Sequence, residues 1–317
     1  MVQQAQGAGH CGFAFESTIG TYVAPTKFVP IMDESIERRE DKYYRNSIRG
    51  VVEKWGAHAG PKWIEGDIKF EVIHDIMPYF LYAGRFTVTK SGTDPYTYVA
   101  VPSTVAKGAT AGPGKPLSIT IKRGDQYFYY TGCNVTQYEF SIEDGILTCN
   151  ASIIGLDEDA SASDTTAVTM PSGSPYTMDK HTLTFGGSGR SDIADLSFTV
   201  NDSGNPEHRP GITSAKPSFV SFGEREVTFS GTFDFDTATD YNNYVANTTQ
   251  AVVLLSEINA SSDSFKIDYK SAVMDSYKTN LSSLGDLTTA EVEMMGLYDA
   301  SSSKSLEITV KTTENIT

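Results

Sequence analysis

The sequence predicts a mainly β chain of two tandem domains, each with a short flanking α-helix and a long loop, and three observations carry that expectation. Period-two alternation of apolar and polar residues dominates the chain. One strand ending occurs twice, as "NASIIGLDE" at 150–158 and as "EVEMMGLYD" at 291–299. The length of 317 residues exceeds the usual single core, so two domains of about 150 residues each are expected.

The alternation is clearest in a matched pair of strands. In "IEGDIKFEV", Ile64, Ile68, Phe70 and Val72 share one face, while Glu65, Asp67, Lys69 and Glu71 share the other. In "VTFSGTFDF", Val227, Phe229, Phe233 and Phe235 alternate with Thr228, Ser230, Thr232 and Asp234. A shift of 163 residues superposes the two faces. Gly66 and Gly231 lie inside these strands, as expected where a strand bends around a barrel.

Each strand is followed by a segment with helical spacing. Ile76, Tyr79, Phe80 and Ala83 in "HDIMPYFLYAG" and Tyr241, Tyr244 and Val245 in "DTATDYNNYVAN" each form one apolar stripe. Pro78 falls in the tolerated first turn. The repeated endings are offset by 141 rather than 163, so the second half lacks 22 residues in between. The loss falls on the loop-rich insert "RFTVTKSGTDPYTYVAVPSTVAKGATAGPGKP".

A long loop precedes each matched strand. "ESIERRED" leads into "KYYRNSIRGVVEKWGAHAGPK", and "DLSFTVND" leads into "SGNPEHRPGITSAKPSF". Irregular stretches of this length inside compact domains are usually functional. The Ser/Thr/Pro/Gly-rich stretch after Leu156 reads as a linker, so the expected division is 1–158, a linker at 159–180, and 181–317.

Composition narrows the function. With 39% apolar and 11% aromatic residues the chain can bury proper cores. Its 40 acidic against 25 basic residues give a charge of −15, which disfavours adhesion to nucleic-acid phosphates or anionic membranes. Cys11, Cys133 and Cys149 form no CxxC, and an odd count argues for a reducing compartment. The first twenty residues lack the basic and apolar regions of a secretion signal, so the expectation is a cytosolic product. The seven N-x-S/T sequons are then expected to be incidental.

Enzyme signatures are missing. His10, His58, His74, His181 and His208 are scattered without ligand spacing, and "FGGSGRSD" lacks the GK[ST] ending of a phosphate-binding loop. Asp234, Asp236 and Asp240 lack the glycine and closing glutamate of a calcium loop. No catalytic, cofactor or metal residues are expected.

The opening "FAFESTIGTYVAPTKFVPIMDESIERRED" with "SIRG", then "IADLSFTVND" and "REVTFSGTFDF" followed by a short helix, resembles the major tail tube proteins of long-tailed bacteriophages, in the branch with two tube domains per polypeptide. The resemblance runs from about Gly12 to Thr312. It implies a β-barrel or sandwich in each tandem domain, with strands that join neighbouring copies around a lumen. Single-domain members form hexameric rings, so a doubled member implies homotrimeric, pseudo-hexameric rings stacked into a tube. The implied partners are further copies of the chain, a tape-measure protein, the tail terminator, distal tail or baseplate proteins, and phage DNA in transit. The implied location is the virion, after assembly in host cytoplasm.

Two sets of residues would carry that role. A conduit must not hold DNA, so lumen-facing candidates are Glu65, Asp67, Lys69, Glu71, Asp234, Glu291 and Glu293. The competing reading is an ordinary solvated strand face. In the first long loop Tyr43, Tyr44, Arg45, Arg49 and Trp55 are ring-stacking candidates, because aromatic residues and arginine are enriched at interfaces. They could instead cover the protein's own sheet edge. The alternative function is a receptor- or glycan-binding sandwich module, which would need exposed aromatic platforms on short loops.

Overall fold

The computed structural model describes residues 9–48, 50, 52–54, 56–103, 114–161, 166–212, 214–235, 238–280 and 288–316. Strands β1 (His10–Phe15), β2 (Lys27–Val29), β3 (Ile31–Glu34) and β4 (Glu37–Tyr44) lead into β5 (Ala57–Glu71). Helix α1 (Met77–Ala83), β6 (Phe86–Ser91) and β7 (Tyr96–Pro102) follow. The first half closes with β8 (Leu117–Arg123), β9 (Gln126–Glu143), β10 (Ile146–Gly155) and β11 (Asp157–Ser161). The second half begins with β12 (His181–Phe185), β13 (Ser188–Arg190), β14 (Ile193–Asn201), β15 (Gly204–Glu207) and β16 (Phe219–Phe222). Then come β17 (Glu226–Asp234), α2 (Thr239–Val245), β18 (Gln250–Asn259), β19 (Asp263–Asn280), β20 (Thr289–Gly296) and β21 (Leu306–Thr312). The chain is mainly β, as expected, and its sheets do not close into a barrel by themselves.

One antiparallel sheet runs through both halves. Its order is β3 and β4, then β5, β10, β9, β14, β17, β20 and the second part of β19. The halves meet where Phe198 of β14 pairs with Phe140 of β9. A second layer covers one face: β2, β1, β8, the first part of β9 and β11 in one half. In the other half it comprises β13, β12, β18, the first part of β19 and β21. Strands β9 and β19 therefore belong to both layers.

Each bend has a local cause. Gly132 in β9 takes a left-handed φ of 63°, and a Cβ there would meet Leu156 at 2.5 Å. A bulge follows between Ser152/Ile153 in the β10–β9 ladder, and β19 carries one between Met274/Ser276. Gly66 is required by the chain turning from β3 to β4, since a Cβ would lie 2.5 Å from Ser35 O.

The core lies between the layers. Phe70 tilts on Phe80 of α1 at 4.6 Å, Phe198 meets Phe229 at 4.9 Å, and Tyr269 meets Phe198 edge-on at 5.1 Å. Such pairs contribute about 0.5–1.5 kcal/mol each beyond burial. The buried Tyr138 hydroxyl donates to Phe80 O at 2.7 Å, and the Tyr269 hydroxyl lies 3.1 Å from both Thr199 O and Thr228 O. Glu16 is buried as an acceptor from Gly20 N, Gly132 N and Ser118 Oγ at 2.6, 2.7 and 2.9 Å.

Three expected loops are more ordered than their composition suggests. The insert after α1 forms the β6–β7 hairpin, and β7 adds to β21 of the other half, with Val99 opposite Thr309. The first long loop continues as a two-stranded ladder to Tyr44 opposite Ala57. Within the expected linker, Tyr176 is fully buried and its hydroxyl donates to Asp263 Oδ1 at 2.9 Å. Residues 162–165 lie outside the described residues.

A buried clasp secures the central joint. Arg225 donates to Asp202 at 2.7 and 3.0 Å and to Arg85 O at 2.5 Å, while Arg85 donates to Gly223 O at 2.7 Å. Asp202 is fully buried. Removing one partner of such a pair leaves an uncompensated charge, so Asp202→Ala should lower stability by about 3 kcal/mol. The check is urea unfolding, where the midpoint should fall without a change of slope.

Candidate functional site

The continuous sheet leaves one face uncovered. On β5, Ile64, Ile68 and Phe70 are buried against the second layer, and Glu65, Asp67, Lys69 and Glu71 point the other way. In the other half Asp234, Glu291 and Glu293 lie on the same side, opposite the buried Phe233 and Val292. The structure thus brings all seven sequence-selected residues onto one face of one sheet. Glu139, Glu143 and Asp195 share it and were missed, although Glu139 alternates with the buried Tyr138 and Phe140. The neighbouring cations are Arg39, Lys69 and Lys278, so carboxylates predominate.

Hydrogen bonds hold these side chains flat. Lys69 Nζ donates to both oxygens of Glu143 at 2.6 Å, and that partner holds the Glu143 carboxyl below its ordinary pKa. The pair is more than a third exposed at Glu143, which limits it to about 1 kcal/mol or less. Ser152 Oγ donates to Asp67 at 2.6 Å, while Arg39 Nε and Trp63 Nε1 donate to Glu65 at 2.9 and 2.6 Å. A shallow hollow of about 350 Å³ lies on this face, lined by Ser141, Asp195, Ser230, Lys278, Glu291 and Glu293 among others. Among the described residues no group of three or more His, Cys, Asp or Glu could hold a metal.

The β4–β5 hairpin carries the second set of candidates. Tyr43 and Tyr44 lie on β4, 59% and 50% exposed, and Arg45 N follows with a hydrogen bond to Gly56 O at 3.0 Å. Lys54 Nζ sits 4.5 Å above the Tyr44 ring. Arg49 and Trp55 lie outside the described residues. The loop between β15 and β16 packs on the base of this hairpin. Lys62 N donates to Ala215 O at 2.9 Å, and His208 Nε2 lies 3.1 Å from Lys62 O. Lys62 and Lys216 both reach Asp157, at 2.8 and 3.6 Å. The second long loop thus lies against the first hairpin within one chain.

The two helices differ in cover. Helix α1 buries Tyr79, Phe80 and Ala83 of its predicted stripe, whereas α2 has no buried residue. Tyr241 and Val245 are 50% and 60% exposed, and Tyr241 and Tyr244 cluster with Tyr277 of β19 at 5.8 and 6.2 Å. Phe235, just past the end of β17, is also exposed.

The loop-to-hairpin contact should respond to pH through Asp157. Burial raises the Asp157 carboxyl, but the hydrogen bond and charge of Lys62 outweigh it and hold the group below its ordinary value. A depressed carboxyl stabilises the contact above the ordinary carboxylate range and loses that effect as pH falls through its own lower pKa. The amide resonances of Lys62 and Ala215 should therefore stay constant down to about pH 4 and shift only below it. In Lys62→Ala the transition should move to higher pH.

Comparison with known proteins gives one result for the chain as a whole. A family model described as phage tail tube protein matches residues 9–296. No curated protein matches the sequence.

Proposed function

The chain belongs to the phage tail tube protein family, and from that premise we propose that three copies close into one ring of a hollow tail tube that delivers genomic DNA to the host. It is a structural component of the virion and assembles with itself into a tube. No helix among the described residues is long and apolar enough to cross a membrane.

The observation that carries the ring is the open-ended sheet. Four strand positions from each half line up in order, and both outer edges lack a partner among the described residues. An open, exposed edge invites pairing with another chain. Three chains contribute six similar four-strand blocks, which is the pseudo-six-fold arrangement of a doubled subunit. Dividing the chain into two tube domains, 1–158 and 181–317, accounts for this. Fusion makes half of the joints intramolecular, each formed at high effective concentration.

The acidic face then lines the tube. Glu65, Asp67, Glu71, Asp234, Glu291 and Glu293 repel phosphate over roughly a Debye length of 10 Å or less, so DNA slides without sequence-specific contact. The β4–β5 hairpin, through Tyr43, Tyr44 and Arg45, serves ring stacking, and Arg49 and Trp55 are assigned the same role from the sequence. The tape-measure protein occupies the lumen before DNA, and the terminator and distal tail or baseplate proteins cap the tube's ends. The chain performs no catalysis in this reading.

Electron microscopy of the concentrated protein, with ring mass from light scattering, tests the assembly. Rings of three chains with six lobes are expected. Six chains per ring would show that only one half builds the wall, and a particle that never assembles would favour a receptor-binding module. Virions carrying Glu65→Lys with Glu71→Lys should assemble normally and eject DNA about tenfold less efficiently. Undiminished ejection would remove this face from the lumen.

A further inference from the structure

We propose that the free edge of β19 in one chain pairs antiparallel with the free β3–β4 edge of the next, in a register that sets Glu37 opposite Lys278 and Arg38 opposite Tyr277. This rests on the ring reading above and adds which edges meet and how they are aligned.

The register follows from ladders that repeat within the chain. Gly66 of β5 pairs with Ile153 of β10, and Phe229 of β17 with Met294 of β20, shifts of 163 and 141. Phe140 of β9 pairs with Cys149 of β10, and Thr279 of β19 with Ala290 of β20, which places β9 on β19 with a shift of 139. Ile31 pairs with Phe70 and Glu37 with Glu65, while Ile193 pairs with Phe233 and Thr199 with Thr228. The last set places β3 and β4 on β14 with a shift of 162.

Bulges confirm the alignment independently of side-chain identity. The break between Ile31/Asp33 recurs between Ile193/Asp195. The break that skips Thr136 in β9 recurs in β19, where it skips Asp275. A slip of one residue would turn every side chain to the wrong face, so coincident bulges are a strict test of equivalence.

The internal joint then serves as a template. There β14 meets β9 with Phe198↔Phe140, Thr199↔Glu139, Val200↔Tyr138 and Asn201↔Gln137. Applying the two shifts gives Ile36↔Thr279, Glu37↔Lys278, Arg38↔Tyr277 and Arg39↔Ser276. Both edges are free of other strands among the described residues.

The chemistry of the transferred pairs is complementary. Glu37 and Lys278 are exposed, carry opposite charges, and fall on the polar face. Lys278 has no ion-pair partner among the described residues. Arg38 arrives over Tyr277 and its neighbours Tyr241 and Tyr244, an open aromatic cluster suited to a guanidinium. Arg39 lands beside Ser276, which already donates to Glu293 at 3.0 Å. Tyr138, the counterpart of Tyr277, is fully buried at the internal joint. The neighbouring chain would give Tyr277 the same cover.

Paired cysteines test the register. The three native cysteines are buried, so Glu37→Cys with Lys278→Cys adds the only accessible thiols among the described residues. Directly opposed residues in antiparallel strands meet disulfide geometry. Oxidation of assembled protein should give covalent dimers and trimers on a non-reducing gel. A companion with Glu37→Cys and Thr279→Cys, one position out and on the opposite face, should give none. Rings that form without the first cross-link, or that show the second, overturn the register and leave the ring reading standing. Wild-type protein that forms no ring overturns both. Glu37→Lys and Lys278→Glu should each raise the concentration needed for assembly about tenfold, and the double exchange should restore it. Failure of the double exchange to restore assembly would also count against the pairing.

Discussion

The structure depends on one ladder, the short run where β14 hydrogen-bonds to the second part of β9. Without it each half would be a four-strand block with two bare edges. With it the blocks become one sheet with a common polar face and a common buried face. The constraint reaches back into β9 itself, which must serve two layers and therefore bends at Gly132 and bulges at Thr136. The clasp of Asp202, Arg225 and Arg85 and the aromatic contacts of Phe198 and Tyr138 surround that joint. They fix the angle between blocks more firmly than strand pairing alone, because a buried ion pair tolerates little displacement.

Much of this was legible in the chain because period-two alternation maps directly onto a half-covered sheet. The faces of β5 and β17, the two helices and the acidic series on β20 all follow from that pattern. The joint between halves was not legible, since strand order is set by contacts far apart in sequence. The same holds for β7 on β21, where the alternation of "YTYVAVP" was hidden inside a segment rich in Gly, Pro and Thr. Tyr176 was read as linker because its neighbours are Ser, Pro and Gly, yet one large aromatic suffices to dock the stretch. Glu139 and Asp195 escaped notice because each lies between apolar residues, Tyr138 and Phe140 or Ala194 and Leu196, with no second carboxylate two positions away on the same face.

The pattern of exposure separates assembly from solubility. Carboxylates on the open face keep it hydrated and repel both nucleic acid and like faces of other copies. Apolar side chains are exposed beside the β19 edge at Tyr241 and Val245 of α2, and on the β4–β5 hairpin at Tyr43 and Tyr44.

The hairpin that links β7 to β21 also governs the order of events during synthesis. Val99 pairs with Thr309, and close by Thr312 donates to Asp75 while the Tyr98 hydroxyl donates to Glu314 O. The β6–β7 hairpin of the first half therefore gains its neighbour only from β21, far later in the chain. Contacts so distant in sequence form late, because the intervening chain must first be gathered. The β6–β7 hairpin is left without that neighbour until β21 has been made and has folded onto β19.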